Sequence, residues 1–149
     1  MHERSSEKTM YRRYLQAVKE WRGINLRRLS GGHRGATLVA MSEEGAIVGL
    51  GNVFPDEPGD GHAAEIAVII EDAYQGRGLG TRMIRHMLGL AEDLGFEEVV
   101  ATVLEENAGM LNVLEATGLR WASERERGTL TMRARLPVAA PRPGPDSLA

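Results

Sequence analysis

From Leu79 onward the apolar residues Met83, Ile84, Met87, Leu88, Ala91 and Leu94 recur every three or four positions, the spacing of one buried helix face. Gly95 follows where a helix-ending glycine belongs. Upstream, "ATLVAM" and "AIVGLGNVF" flank "SEEG", two β-rich runs around a turn, which predicts a hairpin. The loop "PDEPGDGH" leads into a third strand over 64–70, and "EEVVATVL" reads as a buried strand. Residues 108–117 read as a helix closed by Gly118. "LRWASE" and "TLTMRARL" then read as strands around "RERG", with Leu130, Met132, Ala134 and Leu136 on one face and Thr131, Arg133 and Arg135 on the other. Near the start, Ser5 or Ser6 can cap a helix over about 6–20, in which Met10, Tyr11, Tyr14, Leu15 and Val18 keep helical spacing before Gly23. The order of helix, hairpin, strand, helix, strand, helix and two strands predicts an α/β fold, a mixed sheet with helices packed on it.

A chain of 149 residues fits one domain and buries roughly 70% of its extended surface. We place that domain at residues 1–136, with the proline-rich 137–149 as an extended or disordered tail. No apolar run approaches the ~20 residues of a membrane helix, and "MHERSSEKTM" lacks the apolar core of a signal peptide, so the cytoplasm is the expected compartment. The absence of cysteine excludes disulfides, thiolate metal sites and a cysteine nucleophile. His2, His33, His62 and His86 show no metal-ligand spacing, so no metal is expected. Arginine outnumbers lysine, which occurs only as Lys8 and Lys19, and codon bias is the simplest reading of that.

The net charge of −3 conceals a segregation. Residues 1–40 are strongly basic, whereas 41–72 hold eight carboxylates and no lysine or arginine. Such a block attracts cationic ligands and disfavours nucleic acid, although a solvated loop explains "PDEPGDG" equally well.

The stretch "AEIAVIIEDAYQGRGLGTR" joins a carboxylate, an apolar strand, a glycine-arginine loop and a helix start. A strand that turns into a helix through Gly76, Gly78 and Gly80 exposes successive N–H groups at a helix N-terminus, where donors and dipole favour an anion such as phosphate. Arg77 and Arg82 add positive charge. A ligand-free glycine turn is the plain alternative. A Walker loop would need Gly-Lys-Ser/Thr where Leu79-Gly80-Thr81 stands, and a dinucleotide fingerprint would need GxGxxG where the glycines run GxGxG.

Gln75-Gly76-Arg77-Gly78-Leu79-Gly80 matches the Q/R-x-x-G-x-G/A signature of the GNAT superfamily of N-acyltransferases. Together with "VLEENAGMLNVLEATGL" and the strand containing Trp121, the chain resembles the bacterial protein lysine acetyltransferases of the Pat type over about residues 5–136. The resemblance implies acetyl-CoA as cosubstrate, held at its phosphates by the backbone of Gln75, Gly76, Arg77, Gly78, Leu79, Gly80 and Thr81. It further implies pantetheine pairing with the backbone of Val68, Ile69 and Ile70, and a cofactor-side role for Asn107, which is equally placed to cap the following helix. Two departures accompany it. Many GNAT enzymes carry a tyrosine acid seven residues after this asparagine, and Leu114 stands there. The family's first strand also has no counterpart before the N-terminal helix, which leaves a sheet edge open to a second copy and predicts a homodimer.

Glu65 heads the third strand and in regular alternation shares a face with Ala67 and Ile69. By itself it reads as a solvated strand-end carboxylate. The resemblance implies a general base, as the glutamate at this place in similar lysine acetyltransferases. The expected activity is acetyl transfer to a primary amine, most simply a protein lysine, in a ternary complex without a covalent enzyme intermediate. A small-amine acetyltransferase for polyamine or aminoglycoside-like substrates and a non-catalytic CoA-binding sensor module are the alternatives.

Overall fold

The computed structural model describes residues 35–56 and 59–137. The predicted N-terminal helix, the missing first strand and the tail over 138–149 lie outside the described residues. Within them, β1 (Ala36–Met41), β2 (Ile47–Pro55), β3 (Ala63–Ile70), α1 (Leu79–Asp93), β4 (Glu98–Leu104), α2 (Ala108–Ala116), β5 (Ala122–Glu126) and β6 (Thr129–Arg135) follow in chain order. The strands form one mixed sheet in the order β1-β2-β3-β4-β6-β5. Every neighbouring pair is antiparallel except β3 and β4.

The periodic face of α1 is buried as its spacing predicts, through Met83, Ile84, Met87, Leu88 and Ala91. These side chains meet Ala64, Ile66 and Val68 of β3, Val99, Ala101 and Val103 of β4, and Leu114 of α2 in one core. A Schellman ending closes the helix: Gly95 takes a φ of 87°, Gly95 N–H donates to the Glu92 carbonyl, and Phe96 N–H donates to the Ala91 carbonyl. Phe96 and Ala91 are both buried, which supplies the apolar contact that accompanies this turn.

Close approach of α1 to the sheet depends on two glycines of β2. A Cβ added to Gly51 would lie 2.6 Å from Met87 Sδ, and one added to Gly49 would lie 2.8 Å from Met83 Sδ. Each methionine therefore fills the space that a larger residue would occupy.

The last hairpin departs from expectation. β5 begins at Ala122 rather than within "LRW", and its turn is the pair Arg127-Gly128, at φ 48° and 84°, rather than the whole of "RERG". Leu119 and Trp121 are instead held at the end of α2. Leu119 N–H donates to Thr117 Oγ1, and the Trp121 indole donates to the Leu114 carbonyl at 2.9 Å and to Thr117 Oγ1 at 3.1 Å.

Gly51→Ala should lower stability by about 1–3 kcal/mol through overpacking against Met87. Combined with Met87→Ala, it should cost less than the sum of the two single changes, read from urea unfolding midpoints.

Candidate active site

β2 and β3 pair over seven successive residues from Gly49↔Ile70 to Pro55↔Ala64, with no register shift. β4 and β6 likewise pair over seven, from Glu98↔Arg135 to Leu104↔Thr129. Between these two ladders the parallel seam of β3 and β4 holds only at Ala63↔Glu98, Ala64↔Val99 and Glu65↔Val100. Beyond Glu65 and Val100 the strands part, and a fork opens between 66–70 of β3 and 101–104 of β4.

Peptide directions along β3 follow from its two ends. Asp56 N–H donates to the Ala63 carbonyl and Glu71 N–H donates to the Val48 carbonyl, so odd-numbered β3 residues turn their peptide groups to β2. The even-numbered Ile66, Val68 and Ile70 turn theirs into the fork. A ligand lying there can pair as a short extra strand with the Ile66 carbonyl, with both peptide groups of Val68 and with Ile70 N–H.

The open end of the fork leads into the loop before α1. Gly76 and Gly78 have φ of 71° and 81°, and a Cβ at either would meet no protein atom within 4 Å, so the backbone faces open space. Gly78 is the N-cap of α1 and supplies no side-chain cap; its carbonyl accepts from Arg82 N–H. The N–H groups from Gly76 to Thr81 have no acceptor among the described residues. Six donors at a helix N-terminus whose first turn holds no acidic residue form a cradle suited to an anion such as phosphate. Arg77 lies over the Tyr74 ring at 5.6 Å from its centroid, beside that cradle. Gly80 is small for another reason: a Cβ there would lie 3.3 Å from Ile70 Cδ1 and 3.5 Å from Val113 Cγ2.

At the closed end of the fork, Glu65 is half-buried in β3 and its side chain lies on the sheet face opposite α1 and α2, with Ala67 and Ile69. Its carboxylate forms no hydrogen bond or ion pair among the described residues. Phe54 and Val100 are its cross-strand neighbours. One row away on the same face, Arg133 Nη1 lies 3.1 Å from Glu98 Oε1 and 3.7 Å from Asp56 Oδ2. No group of three or more potential metal ligands occurs among the described residues. No described helix is long and apolar enough to cross a membrane.

A profile of the Acetyltransferase (GNAT) family matches residues 3–119. The chain belongs to the GNAT acetyltransferase family. It is 32% identical over 124 residues to acetyltransferase Pat of Mycolicibacterium smegmatis, a match spanning 80% of this chain and 36% of that protein. The chain thus spans about a third of the length of this curated relative. Its fold is similar to that of the GNAT domain of S. lividans PAT, with a TM-score of 0.79, 21% identity, and coverage of 91% of this chain and 81% of that one. It is also similar to that of yncA from Salmonella typhimurium, solved with its cofactor acetyl-CoA, with a TM-score of 0.66, 19% identity, and coverage of 93% and 90%. Acetyl-CoA is the cosubstrate of the family, and the loop donors and the fork fit its phosphates and its pantetheine arm.

The GNAT frame refines several sequence expectations. Gly76, Arg77, Gly78, Leu79, Gly80 and Thr81 all present backbone donors, whereas Gln75 N–H is already donated to the Asp72 carbonyl. The Gln75 side chain instead donates from Nε2 to the Ile70 carbonyl at 2.9 Å, which ties the loop to the strand end. Val68 and Ile70 face the fork, while Ile69 turns its peptide groups to β2 and buries its side chain. Ile66, which the sequence reading passed over, faces the fork as well; the signal for it was strand parity, once one residue's pairing is known. Asn107 does cap α2, since its Oδ1 accepts from Met110 N–H at 3.2 Å, and its Nδ2 is left to donate elsewhere. Leu114 is fully buried in the core.

Gly78→Ala should weaken CoA binding by about tenfold. The left-handed backbone costs a residue with a Cβ ~1–2 kcal/mol, and a loop that relaxes to avoid this must be re-formed on binding. Calorimetric titration with CoA checks it, alongside a circular dichroism spectrum that should stay unchanged. Leu114→Tyr should destabilise the fold by ~1–3 kcal/mol by overpacking, read as a lowered Tm.

Proposed function

We propose that this domain transfers the acetyl group of acetyl-CoA to the side-chain amine of a protein lysine, with Glu65 as general base. The observation that carries the proposal is a carboxylate with no partner among the described residues at the closed end of the fork, one strand length from the donor loop. The likeness to Pat supports a protein lysine as acceptor.

The chemistry explains why a base is needed there. A lysine ammonium has a pKa near ~10.4, and freeing its lone pair at pH 7 costs roughly 4 to 5 kcal/mol. Glu65 takes that proton directly or through a water molecule. The amine nitrogen then forms the bond to the thioester carbonyl carbon, the C–S bond breaks, and the pair of electrons leaves with sulfur. Fork-facing N–H groups of β3 hold the acyl arm in register during the attack. With Leu114 in the core, solvent supplies the proton to the departing thiolate. Ala67, the next residue on the face of Glu65, is small enough to leave room for the acceptor's methylene stem.

We also propose a homodimer, for which the exposed Val39, Met41 and Ile47 at the edge of the sheet give an apolar surface. A dimeric mass at micromolar concentration is expected, and a monomeric one counts against it.

Glu65→Gln should keep CoA affinity and lose ~10²- to 10⁴-fold in kcat/KM near neutral pH. The deficit should shrink as pH approaches the acceptor's own pKa, because a free amine needs no base. Measuring kcat/KM from pH 6 to 10 for both proteins decides the matter. Parallel profiles would remove Glu65 from the mechanism.

A further inference from the structure

Next to Glu65 on the same face stand the carboxylates of Asp56 and Glu98, and the way they are engaged bears on which amines the site accepts. Asp56 N–H donates to the Ala63 carbonyl, and Ala63 pairs with Glu98, so Asp56, Ala63, Glu98 and Arg135 form one cross-strand row. Phe54, Glu65, Val100 and Arg133 form the next. Alternation places both rows on the same side of the sheet. Along β3, Glu65 and Ala63 are two residues apart, about 7 Å, and Asp56 and Glu98 flank Ala63 from either side.

Arg133 changes rows to reach them. From β6 its Nη1 hydrogen-bonds Glu98 Oε1 at 3.1 Å and comes within 3.7 Å of Asp56 Oδ2, so the guanidinium extends across β4 and over the small Ala63 toward β2. All three side chains remain partly exposed, at 47% for Arg133, 30% for Asp56 and 34% for Glu98. Ion pairs with that much solvent contact add little to stability. Their consequence is electrostatic: Asp56 and Glu98 already have a cation, and Glu65 has none among the described residues.

We infer that Arg133 is a specificity-determining residue that fills the place of a second ammonium and so restricts the site to acceptors presenting one cationic amine. This rests on the proposed amine-acetyltransferase reading and deepens it. A diamine of about five carbons would span from Glu65 to the row of Asp56 and Glu98. There it meets the guanidinium rather than a free carboxylate, and like charges repel. A lysine side chain has a similar reach but enters from a neutral amide backbone, so it places no second charge near Arg133. Within the acidic segment 41–72 there is no lysine or arginine to perform this neutralisation, and β6 supplies it from elsewhere in the chain.

The test compares two acceptors that differ by one charge, cadaverine and N-acetylcadaverine, on wild type and Arg133→Gln. Two quantities are read: the kcat/KM ratio of the diamine to the monoamine, and the same ratio of affinities for the CoA-loaded protein by calorimetry. Both ratios should rise by about fivefold in Arg133→Gln, the scale of one partly exposed charge pair. Adding Asp56→Asn and Glu98→Gln to that variant should return both ratios to the wild-type value. Unchanged ratios in Arg133→Gln, or a rise that persists without the two carboxylates, would overturn the assignment. Should Arg133→Gln not fold, Arg133→Lys keeps the charge without the planar fork, and a smaller rise of about twofold is expected, an unchanged ratio again counting against it. If neither amine is acetylated although acetyl-CoA binds, the transferase reading fails separately, and the affinity ratio still decides the role of Arg133.

Discussion

The site depends on an inequality between strand seams. Two antiparallel ladders of seven pairs each hold β3 to β2 and β4 to β6, and between them the parallel seam of β3 and β4 reaches only three. Parallel pairing is slightly weaker per residue, and sheet twist rotates each ladder as a block, so the short seam is where separation is least costly. Neither arm of the fork loses rigidity by parting, since each is backed along its whole length. The fork therefore offers the Ile66 carbonyl, both peptide groups of Val68 and Ile70 N–H in fixed positions without exposing a flexible edge, the Ile70 carbonyl being taken by Gln75 Nε2. The Glu65 carboxylate at the vertex and the N–H donors at the mouth are separated by the five residues from Glu65 to Ile70, roughly 17 Å of strand.

Charge follows the same axis. At the mouth, donors and arginines collect where α1 begins, and no carboxylate lies in the first turn of that helix. At the vertex, carboxylates collect on the opposite face of the sheet, where the proposed mechanism has a cationic amine lose its proton. In the proposed mechanism a phosphate-rich cosubstrate and a cationic acceptor thus meet opposite fields at opposite ends of one strand. The segment from 41 to 72 supplies every carboxylate at the vertex except Glu98. Neutralisation comes from β6, so local composition overstates how negative this face is.

Much of this was legible in the sequence because it depends on period and on turn chemistry. The helix periodicity from Met83 to Leu94, the glycines at Gly76 and Gly78, and the alternation that puts Glu65 with Ala67 and Ile69 all appear in the fold. β5 was placed too early because all five of its residues are exposed at the sheet edge, so it carries no alternation to read. Trp121 looked like a strand residue, yet its indole is spent on closing α2. Peptide direction was the other obscure quantity. Whether Ile69 or its neighbours face the fork depends on which edge of β3 each residue pairs, and pairing is a tertiary fact. Arg133 was visibly on the outward face of its strand, but its span over β4 to Asp56 depends on a strand order that no local pattern encodes.

Leu114 bears on why the proposed mechanism assigns no dedicated acid. The residue is fully buried, and the carbonyl it carries accepts both the Trp121 indole and the Thr117 hydroxyl. A phenol at that position would need room within a close-packed core. Loss of an acid is the smaller chemical difficulty in acyl transfer from a thioester. A thiol with a pKa near ~8.5 leaves as thiolate far more readily than an ammonium near ~10.4 becomes a nucleophile at neutral pH. One proton must be removed before attack, whereas the other can be gained from solvent after the C–S bond has broken. With Leu114 in the core, the proposed mechanism assigns acid–base chemistry to Glu65 alone, at the step that needs it more.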